Sequence, residues 1–477
     1  MKRTTLTGFI GALLATPVEA HSFGQPYQLP MPYWMYIYGA MAALALSFVV
    51  LAFFLREDTG DRQARRLVLG KPNGPVATWL HRGLQSVMVG SFALAIIAGL
   101  IGNQDSYRNI NMTYFWIVFA LGGCYLSALV GCWYETLNPW RIVAELLSRH
   151  CTTLREGRFR YPERLAYWPA LAQYLVFIII ELFGDTRPFS LSLILLCYTA
   201  LTLAGVYLFG IQRWFYSGDL FAVLFRLIGR MAPLQRDEQQ RWVLQWPFAG
   251  LLGQRADHPS LLLFILFMLS STAFDGLRET QLWFGHFWKD PLQILTPLLG
   301  EHPIYAYPYL RPWFVAYEIF CLLISPLLYL GVFLLFLWLG KLITRSSLSM
   351  TTLTAQFSYS LLPIALVYHI THYYTLLLNQ GVKIRGLISD PFGWSWNIFG
   401  NAITGRLPII PDMGFVWDSQ VWLILIGHVA SVWLAHAEAL RCFNSRKQAT
   451  LSQFPMLALM ILFTGFGLWI LAQPLKG

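Results

Sequence analysis

Ten long apolar stretches constrain the fold of this chain more than any other feature of its sequence. Each is long enough to cross a hydrocarbon core of roughly 30 Å as an α-helix. The chain of 477 residues is 56% hydrophobic and only 12% charged, a composition that suits lipid rather than water. The sequence therefore predicts an all-α, polytopic transmembrane helix bundle of about ten helices. The stretches lie near positions 34–55, 84–101, 113–134, 166–183, 189–210, 259–275, 313–340, 354–378, 417–439 and 454–472.

The N-terminal segment has the pattern of a secretory signal peptide. Lys2 and Arg3 precede the apolar run Leu6–Ala15, and the segment Val18–Ala20 has small residues where signal peptidase cleaves. We predict that residues 1–20 are removed and that residues 21–477 form a single multi-pass membrane domain. The mature chain would then begin at His21, outside the cytoplasm. The alternative is an uncleaved segment that lies in the membrane interface.

The distribution of basic residues supports this orientation. With the N-terminus outside, the loops on the cytoplasmic side contain most of the 34 Lys and Arg residues, as the positive-inside rule requires. The formal net charge of +10 follows from this topology and does not indicate nucleic-acid binding. We predict a multi-pass protein of a bacterial inner membrane, whose partners are the lipid bilayer and a lipophilic small-molecule substrate. Whether the protein also binds partner subunits stays open.

Two segments on the cytoplasmic side have the pattern of amphipathic helices. Asn138 and Pro139 are typical of a helix start, and Asp219 begins a second amphipathic run that ends at Pro233. We predict that both are interfacial helices in the cytoplasmic headgroup layer. The outer loops near 276–312 and 379–414 are rich in Trp and Tyr. They predict either caps over an outward-facing pocket or an ordinary aromatic belt.

Ten helices also fit a plan of two inverted halves of five, which several transporters use. We find no convincing sequence match between such halves. Pro326 and Pro363 interrupt the predicted seventh and eighth helices, a feature of transporter binding sites but also of other membrane helices. The six cysteines form no CxxC pair and predict no disulfide framework.

Histidines inside apolar helices are the main candidates for a functional site. An imidazole in hydrocarbon requires a polar partner, a water-filled cavity, or a bound metal or haem. His369 and His372 are three residues apart on the predicted eighth helix and so share a face, and His428 lies at a similar depth on the ninth. We predict that these three residues bind one divalent transition metal.

Carboxylates are predicted on the same outer side of the membrane. Asp275 ends the sixth helix and Glu318 lies in the seventh, and both are candidate catalytic residues; Glu181 ends the fourth helix. Three alternatives stay open for the histidines. Each could hydrogen-bond to a neighbouring helix, all could ligate haem or copper in a redox protein, or they could relay protons in a transporter.

Several segments resemble multi-spanning bacterial proteins known as fenitrothion hydrolases. These segments are HSFGQPYQLPMPYWMYIYGAMAALALSFVV, LNPWR, SGDLFAVLFRLIGRMAPL, LSSTAFDGL, LVYHITHYYTLLLNQG and GHVASVWLAHAEAL. The resemblance covers most of the chain. It implies hydrolysis of an organophosphorus triester with release of a nitrophenol, by an enzyme embedded in the membrane where such compounds partition.

The resemblance also implies roles for the candidate residues. A metal held by His369, His372 and His428 would activate a bound water and polarise the P=S or P=O bond. Asp275 would be a further ligand or a base that orients this water, and the aromatic outer loops would bind the aryl ring. Besides a hydrolase and a redox or transport protein, a third class of protein stays open, namely a structural or assembly subunit that catalyses no reaction.

Overall fold

A computed structural model describes residues 32–54, 66–71, 74–443 and 445–473. Within these ranges it has ten helices that are long and apolar enough to cross a membrane, which confirms the predicted all-α polytopic bundle. The predicted leader, residues 1–20, and His21 lie outside the described ranges. The spans are, in chain order, Tyr33–Phe54, Pro75–Ile101, Ile110–Leu129, Trp168–Phe183, Pro188–Phe209, Pro259–Arg278, Tyr307–Thr344, Met350–Leu387, Met413–Cys442 and Arg446–Leu471.

Successive spans run in opposite directions and define two sides of the bundle. Side A is where the second span ends at Ile101, and side B is where it begins at Pro75. In the described ranges, side B carries an antiparallel sheet of strands Leu67–Gly70 (β1), Leu234–Arg236 (β2) and Trp242–Leu244 (β3), in the order β1-β3-β2. That side A faces outward and side B faces the cytoplasm stays a prediction.

Two spans depart from regular α-helix. The third is a π-helix over Thr113–Leu121, a rare conformation that is frequent at functional sites. The eighth contains a 3-10 turn at Ser358–Leu361, directly before a helix whose first turn includes Pro363. Pro326, by contrast, lies inside the continuous seventh helix. Of the two predicted interruptions, only the one at Pro363 coincides with a break.

The two segments predicted to lie in the headgroup layer enter the bundle instead. They form two re-entrant hairpins, which we call hairpin 1 (133–147) and hairpin 2 (211–229). At the tip of hairpin 1, Trp140 Nε1 donates to Thr199 Oγ1, ten residues before the end of the fifth span and so roughly 15 Å from side B. Almost all of Leu220–Gly229 in hairpin 2 is buried. In hairpin 2, protein rather than lipid therefore covers the apolar face.

Each hairpin turns at a capped helix start near the middle of the membrane. In hairpin 1, Asn138 Oδ1 accepts from the backbone N–H of Arg141; in hairpin 2, Asp219 Oδ1 accepts from the backbone N–H of Ala222. Asp219 Oδ2 also accepts from the Tyr198 hydroxyl at 2.6 Å. These bonds satisfy backbone donors that lipid could not, which allows a helix to begin at this depth.

The second to fifth spans and the two hairpins form a tandem repeat. Each unit has one span toward side A, one span back to side B, and a re-entrant hairpin. The segment WYETLNPW at 133–140 aligns with WFYSGDLF at 214–221, so that equivalent residues stand 81 positions apart. This is a different internal match from the inverted halves considered above, because both units have the same orientation in the membrane.

Contacts between equivalent residues show the symmetry of the repeat. Trp140 and Phe221 stack with ring centroids 6.2 Å apart and planes within 5°. Asn111 and Ser192 also stand 81 positions apart, and Asn111 Nδ2 donates to Ser192 Oγ at 3.1 Å. Residues that contact their own equivalents lie at a pseudo-twofold axis. This axis therefore runs from side A to the middle of the membrane.

The first span and the sixth to tenth spans pack as a second group, in which the sixth span contacts the seventh, eighth and tenth. Almost every residue of the sixth span, Pro259–Arg278, is buried. The eighth and ninth spans approach closely at Gly427, where a Cβ atom would lie 2.2 Å from a methyl group of Val367. This group brings the sequence-predicted site residues into one half of the molecule.

Candidate functional site

A deep cavity of about 450 Å³ lies between the tandem repeat and the second group of helices. Its walls come from the third, fourth, sixth and eighth spans, and its floor comes from hairpin 2. The mouth is on side A, between the segments 104–107 and 184–187. Along the fourth span the wall extends from Tyr174 to Leu182, which is roughly 12 Å of helix.

The lining is apolar and aromatic at depth and polar at the mouth. Asp105, Asp185 and Arg187 are exposed at the mouth, and the π-helical part of the third span forms much of one wall. The apolar residues of the deep part include Trp116, Ile117, Leu121, Phe177, Ile178, Phe221, Leu224, Ile228 and Met268. Pockets of this size and character are typical of sites for small organic ligands.

Two ionisable side chains face this cavity without a hydrogen-bond partner in the described part of the chain. Glu181, near the end of the fourth span, makes no hydrogen bond to another described residue. His369, on the eighth span, likewise makes none, and its Nδ1 atom is buried. A carboxyl group and an imidazole are thus available to a ligand in a mostly apolar space.

Tyr373 lies one helical turn from His369 on the same wall and connects the cavity to a polar pair behind it. Its hydroxyl donates to Asp275 Oδ2 at 2.8 Å, and His372 Nε2 lies 2.8 Å from the same oxygen. Asp275 is 1% exposed. The structure therefore places His372 and Asp275 in a hydrogen-bonded group that joins the sixth and eighth spans.

The three histidines predicted to share a metal have different surroundings. His369 faces the cavity, His372 is paired with Asp275, and His428 Nδ1 lies 2.8 Å from the carbonyl oxygen of Ile424 in its own helix. Among the described residues, no group of three or more His, Cys, Asp or Glu side chains is placed to hold a metal ion. The arrangement does not fit the predicted ligand set, and the metal stays a prediction.

Glu318 is held at side A in a polar contact of its own. Its Oε1 atom accepts a hydrogen bond from Trp283 Nε1 at 3.1 Å and lies 3.9 Å from Arg278 Nε. Arg278 also donates to the carbonyl oxygen of Leu182 at 2.7 Å. Of the residues described, the cavity wall includes Tyr373 but neither Glu318 nor Asp275. The two predicted catalytic carboxylates thus have protein partners.

Glu181 is the functional candidate that sequence reasoning undervalued. The sequence places it at the end of the fourth predicted helix, near the candidate carboxylates Asp275 and Glu318. The signal was present: it is the only charged residue between Trp168 and Phe183. Nothing in the sequence predicts the π-helix at Thr113–Leu121, since this segment is an ordinary apolar run.

No family model matches this chain, no curated protein matches it, and no solved structure matches it. The resemblance to fenitrothion hydrolases therefore stays a prediction.

Proposed function

We propose that the cavity is the active site of a membrane-embedded hydrolase of lipophilic, uncharged esters, for which organophosphorus triesters are model substrates. One observation carries the proposal. Glu181 and His369, two ionisable groups without a hydrogen-bond partner among the described residues, face one mostly apolar cavity. Keeping such groups at membrane depth costs free energy, and residues of this kind usually have a function.

The shape and lining of the cavity support an uncharged aryl ester as the ligand. The volume of about 450 Å³ is within the usual range for small-molecule sites. Trp116 and Phe177, whose ring centroids are 5.4 Å apart, offer flat surfaces to an aryl ring. A charged ester would have to lose its hydration to reach the floor at Phe221 and Leu224, at a high cost in free energy.

In the proposed reaction, a water molecule attacks phosphorus and the bond between phosphorus and the aryl oxygen breaks. The carboxylate of Glu181 or the neutral imidazole of His369 accepts the proton of the water. The nitrophenolate leaves with the bonding electron pair and, being a weak base, needs no strong acid. Tyr373, fixed by its bond to Asp275, limits where the ester can lie along this wall.

The proposal is tested by nitrophenolate release from fenitrothion in purified protein. We expect Glu181→Gln and His369→Gln to lower kcat/KM by roughly 10²- to 10⁴-fold each, the usual contribution of an acid–base group. Glu301→Gln and His302→Gln are matched controls, because both residues are exposed in a loop on side A. Unchanged turnover in both cavity variants, with folding intact, would contradict the assignment.

The same preparation tests the metal and the haem. If the predicted metal carries the reaction, a chelator abolishes turnover and added metal restores it, and His428→Gln is as damaging as His369→Gln. If Glu181 and His369 act without a metal, the chelator has no effect. A Soret band in the optical spectrum would favour the redox alternative over hydrolysis.

A further inference from the structure

Toward side B, the cavity ends at hairpin 2. Ile228 lines the deepest part. The next residue, Gly229, contacts Gly131 so closely that a Cβ atom on Gly229 would lie 2.0 Å from the Gly131 carbonyl oxygen. Gly131 is two residues beyond Leu129, where the third span ends on side B. Beneath Ile228, the floor is thus a contact between two backbones.

One side chain of β2 holds the base of hairpin 2 in this position. Gln235 Nε2 lies 3.2 Å from the carbonyl oxygen of Gly229, 2.8 Å from that of Arg230 and 3.2 Å from that of Ala232. It therefore caps the carbonyl end of the Leu220–Gly229 helix together with the backbone N–H of Ala232, which donates to the carbonyl oxygen of Gly229. Gly131 is part of the same layer, since its backbone N–H donates to the carbonyl oxygen of Leu234.

The tip of hairpin 2 is anchored independently of its base. Gln173 Nε2 donates to the carbonyl oxygen of Gly218, and the Tyr198 hydroxyl donates to Asp219, both at 2.6 Å. Within the hairpin, the guanidinium of Arg226 donates to the carbonyl oxygen of Tyr216 and lies over its ring. The hydrogen bonds at the tip are therefore separate from those at the base.

The tandem repeat places the cavity at one of two equivalent interfaces. The second and fifth spans pack closely where Ser192 Oγ donates to the carbonyl oxygen of Ile96, and a Cβ atom on Gly99 would lie 2.2 Å from Ser192 Oγ. The equivalent pair, the third and fourth spans, borders the cavity instead. Sites between structural repeats, built with discontinuous helices, are characteristic of transport proteins.

We propose that the base of hairpin 2 is a gate, and that its displacement opens the cavity to side B. The cavity would then be a path for a small organic molecule with an apolar body, seen with side A open and side B closed. This inference rests on the cavity and hairpin 2 and does not require hydrolysis. Its failure and the failure of the proposed hydrolase are therefore distinguishable.

Cysteine labelling from each side of the membrane tests the gate. The probe is a membrane-impermeant methanethiosulfonate reagent, applied to right-side-out and inside-out vesicles that contain the full chain with its six native cysteines replaced. Leu224→Cys, on the cavity floor, should react from side A in the closed state and also from side B when the gate opens. Glu301→Cys, in the exposed loop, marks side A and reports leaky vesicles.

A second variant tests the hydrogen bonds that Gln235 makes at the base of hairpin 2. Gln235→Ala removes the cap from the base of hairpin 2, and we expect labelling of Leu224→Cys from side B to accelerate about tenfold, the effect of 1.4 kcal/mol on the opening equilibrium. Gln239→Ala is the matched control, because Gln239 is exposed and its side chain contacts Arg241. If Leu224→Cys does not fold, Ile228→Cys replaces it. Labelling from side A alone, with or without Gln235, would overturn the gate.

Discussion

The hydrogen bond between Tyr373 and Asp275 provides a quantitative test of the site, because it links the cavity wall to the sixth span. We consider Tyr373→Phe, Asp275→Ala and the double variant as a double-mutant cycle. The bond is 2.8 Å long and its acceptor is a carboxylate that is 1% exposed. Hydrogen bonds to charged groups contribute about 1.5–3 kcal/mol in proteins, whereas cycles within a membrane protein average about 0.6 and reach about 1.7 kcal/mol. We expect a coupling free energy of about 1.5 kcal/mol.

The neighbouring residue supplies a neutral control on the same helix. The Tyr374 hydroxyl lies 2.7 Å from Ser419 Oγ on the ninth span, so this bond is similar in length but involves no carboxylate. The cycle of Tyr374→Phe and Ser419→Ala should give about 0.6 kcal/mol. The free energy of unfolding of each variant is measured by denaturant titration in detergent micelles. A Tyr373–Asp275 coupling no larger than that of the neutral pair would refute the reasoning.

Asp275→Ala should also cost more than Tyr373→Phe by itself. Removing the carboxylate takes the shared acceptor from the buried Tyr373 hydroxyl and from the part-buried His372 Nε2, whereas removing the hydroxyl leaves the pair of Asp275 and His372 intact. The difference between the two single variants therefore includes the contribution of His372. Equal costs would indicate that His372 does not bond to Asp275 in the folded protein.

Two further predictions concern side A and the tandem repeat. Burial alone would raise the pKa of Asp290, but hydrogen bonds to its carboxylate from the N–H and hydroxyl of Thr296 outweigh burial and hold the pKa below 3.8. The carboxylate therefore contributes stability above the unfolded pKa that is lost as the pH falls through the lower folded pKa. Asp290→Asn should make the thermal unfolding temperature less dependent on pH as the pH is lowered from about 5 to below 3.8. Gly99→Ala should destabilise the protein by about 1–3 kcal/mol, because its Cβ would overlap Ser192 Oγ. Gly90 lies on the same helix with open space around it, so Gly90→Ala should be neutral or stabilising by up to about 1 kcal/mol in the same unfolding assay. Equal effects of the two alanines would contradict the close packing of the second and fifth spans.

The candidate site could be predicted only in part. The sequence identifies the histidines of the eighth span as candidates, because an imidazole in an apolar run is apparent from the sequence alone. Their partners were not visible, since the side chain that meets His372 is 97 positions away. Glu181 and His369 share one cavity only because the third and fourth spans border it where the equivalent spans pack together.

The number of membrane-spanning helices, their approximate bounds and the amphipathic character of both hairpins follow from the sequence alone, because length, hydropathy and helical period are local properties. Tertiary structure alone decided where the amphipathic faces are buried, since lipid headgroups and a protein interior can cover the same apolar face. It likewise decided that Asp275 has protein partners and Glu181 faces the cavity. In hydrocarbon, whether a carboxylate has a protein partner depends on which donors from distant spans come within hydrogen-bond distance. That is a property of packing rather than of sequence position.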